Sequence, residues 1–262
     1  MDNFVEKHVF LCHREYNCFC NYMRVEKSRN KKEYSKIIAI LLAGLLVSYC
    51  ASVPFIINAV NTEKAHESTI VIDAGHGGID SGVTGVKTGV EEKVVNLKIA
   101  IYLGEILKAR GFTVIYTRRN DAMHEFDGIN NNKKRADMFK RGEIINEAKP
   151  FAVVSIHQNF YSAPTRRGAQ VFFNKKSEDG ARLANVLQSI LNAKINLADG
   201  GREYAPLCAQ KYLLECSPYP SVIIECGFLS NFADERNLVL PEYQYRMASV
   251  IADGICRFVS QF

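Results

Sequence analysis

The chain has 262 residues, 47% hydrophobic and 23% charged, a composition that excludes disorder, collagen and coiled coil and suffices for a sizeable core. Its formal charge of +5 leans on the first quarter, since residues 1–60 hold 8 Lys and Arg against 5 Asp and Glu, whereas residues 61–262 hold 25 against 23. The basic runs Arg118-Arg119, Lys133-Lys134-Arg135 and Arg166-Arg167 are scattered and not interleaved with aromatics, so nucleic acid is excluded as a partner.

Residues 1–36 form a basic segment, followed by 26 uncharged residues from Ile37 to Thr62, rich in Ile, Leu, Val and Ala. A helix needs about 20 apolar residues to cross the hydrocarbon layer, so residues 37–60 read as a transmembrane segment and 61–67 as a linker. Arg24, Lys27, Arg29, Lys31, Lys32 and Lys36 precede it against Glu26 and Glu33. The positive-inside rule holds that end in the cytoplasm and sends residues 68–262 across. The apolar run is longer than the core of a cleaved signal peptide and lacks a small-x-small site, which favours a retained signal-anchor: a single-pass protein of the cell membrane with its main domain outside the cytoplasm. Met23 reads as a more natural start of this signal than Met1. His8, Cys12, His13, Cys18 and Cys20 match no zinc-finger spacing. Cys208, Cys216, Cys226 and Cys256 lie mostly in apolar runs and are expected as small core residues, not a disulfide framework.

Beyond residue 68 short β-branched runs alternate with longer helical patterns. The runs at Ile70–Ile72, Val114–Tyr116, Ala152–Ile156, Ala169–Phe173, Tyr212–Leu214 and Val222–Ile224 are continuous, as in strands covered on both faces. Helices are expected over 92–109, 132–148, 177–193, 231–239 and 241–260; the first sets Val95, Ile99, Tyr102 and Ile106 on one stripe and stops at Gly111. This pattern predicts an α/β fold: a single three-layer domain with a mainly parallel twisted sheet flanked by helices, preceded by one N-terminal transmembrane helix. Ligands of such sheets gather at the carboxyl ends of the strands.

The chemically unusual residues fall at those ends. Ala74-Gly75-His76-Gly77-Gly78 follows the first strand, Ser155-Ile156-His157-Gln158-Asn159 ends the third, and Val222–Ile224 runs into Glu225-Cys226-Gly227. Glu91 and Glu92 open the helix after the first long loop, where the helix dipole favours carboxylates that can face the same crevice. Taken singly, a strand-end histidine is structural more often than not, Glu225 is an exposed carboxylate, Asp73 caps a turn and Glu91-Glu92 offsets the dipole. Their convergence on one edge argues against chance. Two histidines, one carboxylate ligand and a spare carboxylate make a catalytic zinc site. Imidazoles and a carboxylate leave one tetrahedral position for water, whose pKa the ion lowers to about 7, and a carboxylate off the metal moves the proton. Glycines around His76 let the backbone approach the ion, and Asp73 or a backbone carbonyl orients the imidazole.

From about Ser68 to Phe262 these residues resemble the zinc-dependent N-acetylmuramoyl-L-alanine amidases of the Amidase 3 type. The resemblance rests on IVIDAGHGGIDSG at 70–82, EKVVNL at 92–97, TRRND at 117–121, SIHQN at 155–159 and ECGFLSN at 225–231, in the family's order. By position it implies that His76, Glu92 and His157 bind Zn²⁺ and that Glu225 is the catalytic carboxylate. Glu92 is preferred to Glu91 because the family's Glu-Lys-x-Val-Asn-Leu pattern aligns there, with Asn96 one turn on. Asn96, Gln158 and Asn159 are expected to contact substrate. Ala74 stands where the family has Pro, Gln158 and Phe160 replace small residues and are expected to line the cleft, and Cys226 separates Glu225 from Gly227. The resemblance is nearest to the membrane-anchored spore-cortex amidases of the CwlD type. It implies peptidoglycan as substrate, the amide between N-acetylmuramic acid and L-alanine as the bond cut, muramic-lactam formation in the cortex as the setting, and room for an activating partner protein. A vegetative autolysin, a zinc peptidase acting within the stem peptide and a non-catalytic wall-binding protein are the alternatives, the last disfavoured because no ligand is lost.

Overall fold

Strand β1 (Thr69–Ala74) opens with four consecutive residues, Thr-Ile-Val-Ile, whose branched side chains suit a pleated surface buried on both faces. The structure, a computed structural model, describes residues 69–124 and 133–262 together with Lys36; the expected transmembrane segment and linker and nearly all of the basic segment lie outside the described residues. After β1 come α1 (Glu92–Ala109), β2 (Thr113–Tyr116), α2 (Lys133–Ala148) and β3 (Ala152–Asn159). They are followed by β4 (Gln170–Phe173), α3 (Glu178–Leu191), β5 (Leu207–Cys208), α4 (Tyr212–Glu215), β6 (Ser221–Phe228), α5 (Phe232–Leu238) and α6 (Pro241–Val259). Among the described residues no helix is long and apolar enough to cross a membrane.

The six strands form one sheet in the order β2-β1-β3-β6-β4-β5. β2, β1, β3 and β6 are parallel, while β4 runs antiparallel to β6 and parallel to β5. Ile70, Ile72, Val154, Ile156, Val222 and Ile224 share the larger core with α1, α3 and α6. Val71 and Val153, offset by one residue, form a smaller core with Ile145 of α2 and Leu213 of α4. Three layers result because each strand presents apolar side chains to both sides.

The five expected helices are present, but the run at 212–214 is not a strand. Tyr212–Glu215 is one helical turn, closed by Cys216 N donating to Tyr212 O at 2.8 Å, that buries Leu213 and Leu214. Three apolar residues do not fix a period, and here packing decided. The remaining strand of the six is instead β5, Leu207–Cys208, two exposed residues outside the expected apolar runs. Cys208 is therefore exposed, not a core residue, and Cys216 and Cys256 are only half-buried; Cys226 is buried as expected. On α1 the fully buried stripe is Val95, Ile99, Leu103 and Leu107, with Tyr102 and Ile106 on its flank. Gly111 does follow the helix, at φ +90°.

Candidate metal centre

β1, β3 and β6 end along one edge, and the loop after β1 turns sharply back over it. His76 takes φ +62°, a left-handed conformation that costs about 1–3 kcal/mol for a residue with a Cβ and persists only where its surroundings enforce it. Two buried arginines do so. Arg141 of α2 donates from Nη2 to His76 O at 2.6 Å and from Nη1 to Ala74 O at 2.7 Å. Arg118, just past β2, donates from Nε to Ala74 O at 2.8 Å and from Nη2 to Gly75 O at 2.9 Å.

The turn carries the His76 imidazole to the first residue of α1. Nε2 lies 3.2 Å from Glu92 Oε2 and Nδ1 lies 2.7 Å from Asp80 Oδ2. From the end of β3, His157 Nδ1 lies 3.0 Å from Glu92 Oε1, and the two imidazoles meet edge to face with centroids 5.0 Å apart. Glu92 is 2% exposed and accepts three further bonds, from Gln158 N at 3.0 Å, Val83 N at 2.9 Å and Asn96 Nδ2 at 3.2 Å. Burial alone would raise its pKa, but the two imidazoles hold the carboxyl well below the usual carboxylate range. For His76 burial opposes charge, yet Glu92 and Asp80 outweigh it and the net shift is upward.

One ligand atom each from His76, Glu92 and His157 falls within 4.8 Å of the others, so the three could hold a metal ion. Their surroundings fit one. A Cβ on Gly75 would stand 2.3 Å from the His157 ring, and a Cβ on Gly82 would stand 2.4 Å from Glu92 Oε2, so both glycines keep the cradle open. Glu225 is the register partner of His157 on the neighbouring strand, and its Oε2 is buried with no hydrogen-bond partner. Burial pushes this carboxyl's pKa up; His157 partly offsets that and Glu92 adds to it. An orphaned carboxylate oxygen beside a donor set of two imidazoles and a carboxylate suits a site built for a cation and a water.

Several expected roles are corrected. Asp73 does not reach His76; it is buried against Arg141, Thr117 and Ser155, and Asp80 orients the imidazole instead. Asn96 and Gln158 are 0% and 3% exposed and bonded to each other at 3.1 Å, so they lie beneath Glu92 and cannot touch substrate; Gln158 does not line the cleft. Gln158 points toward α1 because the strand alternates after His157, and Asn96, one turn after Glu92 on α1, faces it and donates to Gly75 O at 3.1 Å. Asn159 is half-buried and caps Phe160 N at 2.8 Å; Phe160 is exposed at the rim. Glu91 precedes the helix in an extended conformation and pairs with Lys93 at 3.3 Å, away from the cluster. Asp80 and Arg118 sit within motifs legible in the sequence yet drew no role, whereas Arg141, in a polar helix, gave no signal at all.

Comparison with known proteins agrees with this geometry. A family model for N-acetylmuramoyl-L-alanine amidases matches residues 70–257. The germination-specific N-acetylmuramoyl-L-alanine amidase of Bacillus subtilis is 33% identical over 194 residues, covering 73% of this chain and 80% of that protein. The structure of the CwlD amidase of Clostridioides difficile, solved in complex with the GerS lipoprotein, superposes with a TM-score of 0.70 at 32% identity over 75% of this chain and all of that one. The catalytic domain of the CwlV amidase of Bacillus (Paenibacillus) polymyxa var. colistinus gives 0.63 at 28% identity, covering 74% of this chain and 98% of that one. With a family match over residues 70–257, most of the described domain, and a relative 33% identical over 73% of the chain, the chain belongs to the N-acetylmuramoyl-L-alanine amidases.

Proposed function

We propose that the chain is a zinc-dependent peptidoglycan hydrolase that cleaves the amide between N-acetylmuramic acid and the L-alanine of the stem peptide, with His76, Glu92 and His157 as ligands and Glu225 as the proton carrier. The observation that carries this reading is the His-Glu-His cluster beside the unpartnered, buried Glu225 Oε2. When bound, the ion supplies Lewis-acid polarisation of the scissile carbonyl and makes water a stronger acid near neutral pH. Glu92 lends the ion negative charge, and its bonds to Asn96, Gln158 N and Val83 N keep it from swinging away. Asp80 holds His76 through Nδ1, which leaves Nε2 to face the cluster. Glu225 accepts the attacking water's proton and returns it to the departing alanine nitrogen; its raised pKa suits a group that must both take and give.

A spore-cortex role is supported by the likeness to the germination-specific amidase and to CwlD, and an activating partner protein by the GerS complex of the latter. Export as a membrane-anchored enzyme rests on the uncharged run Ile37–Thr62 and its basic flank. The test is zinc content and product analysis of the detergent-solubilised full chain. Stoichiometric zinc and an intact peptide with a free N-terminal alanine are expected, whereas cuts within the peptide would make it a peptidase. Glu225→Gln should keep its zinc while losing about 10²–10⁴ in kcat; a metal-free variant would make Glu225 a ligand.

A further inference from the structure

A cavity of about 360 Å³ lies at the carboxyl edge of the sheet, between the loop that follows β3 and the loop that leads into β5. Arg166, Arg167 and Arg202 line it together with Tyr204 and the bare backbone of Gly200 and Gly201. Three guanidiniums in one cavity repel one another, and such an arrangement suits an anion that answers their charge. Of the nearby acids among the described residues only Asp234 answers one of them, Arg167; Asp199 already binds Tyr243 Oη at 3.0 Å and Arg246 Nη1 at 2.9 Å. Asp234 Oδ2 accepts from Gly168 N at 2.6 Å and Phe228 N at 3.0 Å. Arg167 is anchored, donating from Nη2 to Asp199 O at 2.6 Å with Nε 3.6 Å from Asp234 Oδ1. Arg166 and Arg202 have no carboxylate partner among the described residues; each lies over a tyrosine ring, Tyr161 at 4.7 Å and Tyr204 at 5.0 Å.

The two loops that form the cavity are tied to each other and to neighbouring segments by hydrogen bonds. Tyr204 Oη donates to Arg167 O at 2.7 Å, tying the two loops together, and Asn231 Nδ2 donates to Pro164 O at 2.6 Å. Asn192 holds Tyr204 from both backbone atoms, at 2.8 Å and 3.1 Å. The two guanidiniums stacked on this wall are exposed and without a carboxylate among the described residues, and their planar forks match a planar oxyanion.

Its distance from the cluster narrows the ligand. Gln170 is the register partner of Glu225. Arg167 and Arg166 stand three and four residues before Gln170, hence at most about 15–18 Å from Glu225 by an extended-chain and inter-strand estimate. A stem peptide extending from the scissile amide at about 3.3–3.6 Å per residue carries its second, third and fourth residues to about 7–14 Å, within that upper bound. We propose that this arginine-lined cavity is a subsite for a free carboxylate of the stem peptide, beyond the alanine whose amide is cut. The inference rests on the amidase reading above. A phosphate of an anionic wall polymer offers the same oxyanion chemistry, so the test separates the two.

The experiment compares the zinc-loaded full chain on muramoyl peptides whose side and terminal carboxyls are free with the same peptides amidated. The parent should favour the free acids by at least about 10-fold in kcat/KM. In Arg166→Gln, Arg202→Gln and their double variant that preference should fall stepwise toward unity, and Arg202→Glu should turn it below unity, which loosened folding alone would not do. Arg182→Gln, whose side chain lies over Phe262 on the far end of α3, should leave the preference as in the parent. A parent that cleaves both substrates equally overturns the subsite but leaves the amidase reading intact; a parent that cleaves neither overturns the amidase reading. If the variants keep the preference and lose only retention on sacculi bearing phosphodiester polymers, the ligand is phosphate and the carboxylate assignment is wrong.

Discussion

Asp80 bears on His76 more directly than any other side chain outside the cluster. Its Oδ2 sits 2.7 Å from Nδ1, while Oδ1 accepts from Lys134 Nζ at 2.6 Å, so the carboxylate is itself held in place. A carboxylate behind a ligating imidazole fixes its tautomer and raises its basicity. Asp80→Ala should weaken zinc binding by about 10- to 100-fold in a chelator competition; unchanged affinity would show that the loop backbone alone positions the ring. Asp73 acts on stability instead. Burial raises its pKa, but Arg141, Ser155 and Thr117 more than reverse this and lower it from 3.8 to about 2. A depressed folded-state pKa gives stability that is complete above pH 4 and lost as pH falls through about 2, worth about 2 kcal/mol. Between pH 5 and 2 the metal-free parent should therefore lose about that much more, by denaturant unfolding, than metal-free Asp73→Asn. Equal losses would refute the assignment.

Among elements, the short helix α5 does more than its length suggests. Asn231 caps it by accepting from Ala233 N and Asp234 N, and two acids in its first turns then serve other segments. Asp234 binds the loop before β4, and Glu235 accepts from Lys87 N at 2.9 Å, Thr88 N at 2.6 Å and Thr88 Oγ1 at 2.7 Å. That second loop leads into Glu92 through Glu92 N donating to Val83 O at 2.9 Å. Glu235→Ala would remove three bonds to a carboxylate from the exposed Lys87 and Thr88, leaving water to replace them, at a cost of about 1–2 kcal/mol. Amide hydrogen exchange at Lys87 and Thr88 should accelerate ahead of the core strands, since loops opened locally exchange first. Protection equal to the parent at both amides would show that Glu235 does not hold the loop.

For the molecule as a whole, the layered domain sets its candidate site along one sheet edge, and the proposed export of that edge across a membrane by the segment before residue 68 is open to direct test. A reporter active only outside the cytoplasm, fused after residue 65, should be active, and replacing Arg29, Lys31 and Lys32 by Ala should weaken that orientation. Activity of a cytoplasm-dependent reporter at the same junction would refute export.

The α/β class, the strands at 70–72, 114–116, 152–156 and 222–224, all five helices and the residues that make up the cluster were legible in the sequence. Continuous β-branched runs and strand-end His and Glu are local signals, and parallel strands bring their ends to one edge by connectivity alone. Which side chains face that edge was not legible. Gln158 turned inward because the pleat alternates after His157, Asn96 because it sits one turn after Glu92 on the buried face of α1, and Glu91 turned away because the helix begins one residue later, at Glu92. Tyr212–Glu215 became a helical turn because one turn buries both Leu213 and Leu214, Leu213 in the cluster it shares with Ile145 of α2. Arg141 reaches Asp73 across 68 positions in the chain, and Arg166 and Arg202 meet only where two loops fold together. Such pairings depend on distance in space, which no local pattern encodes; only the tertiary structure decided them.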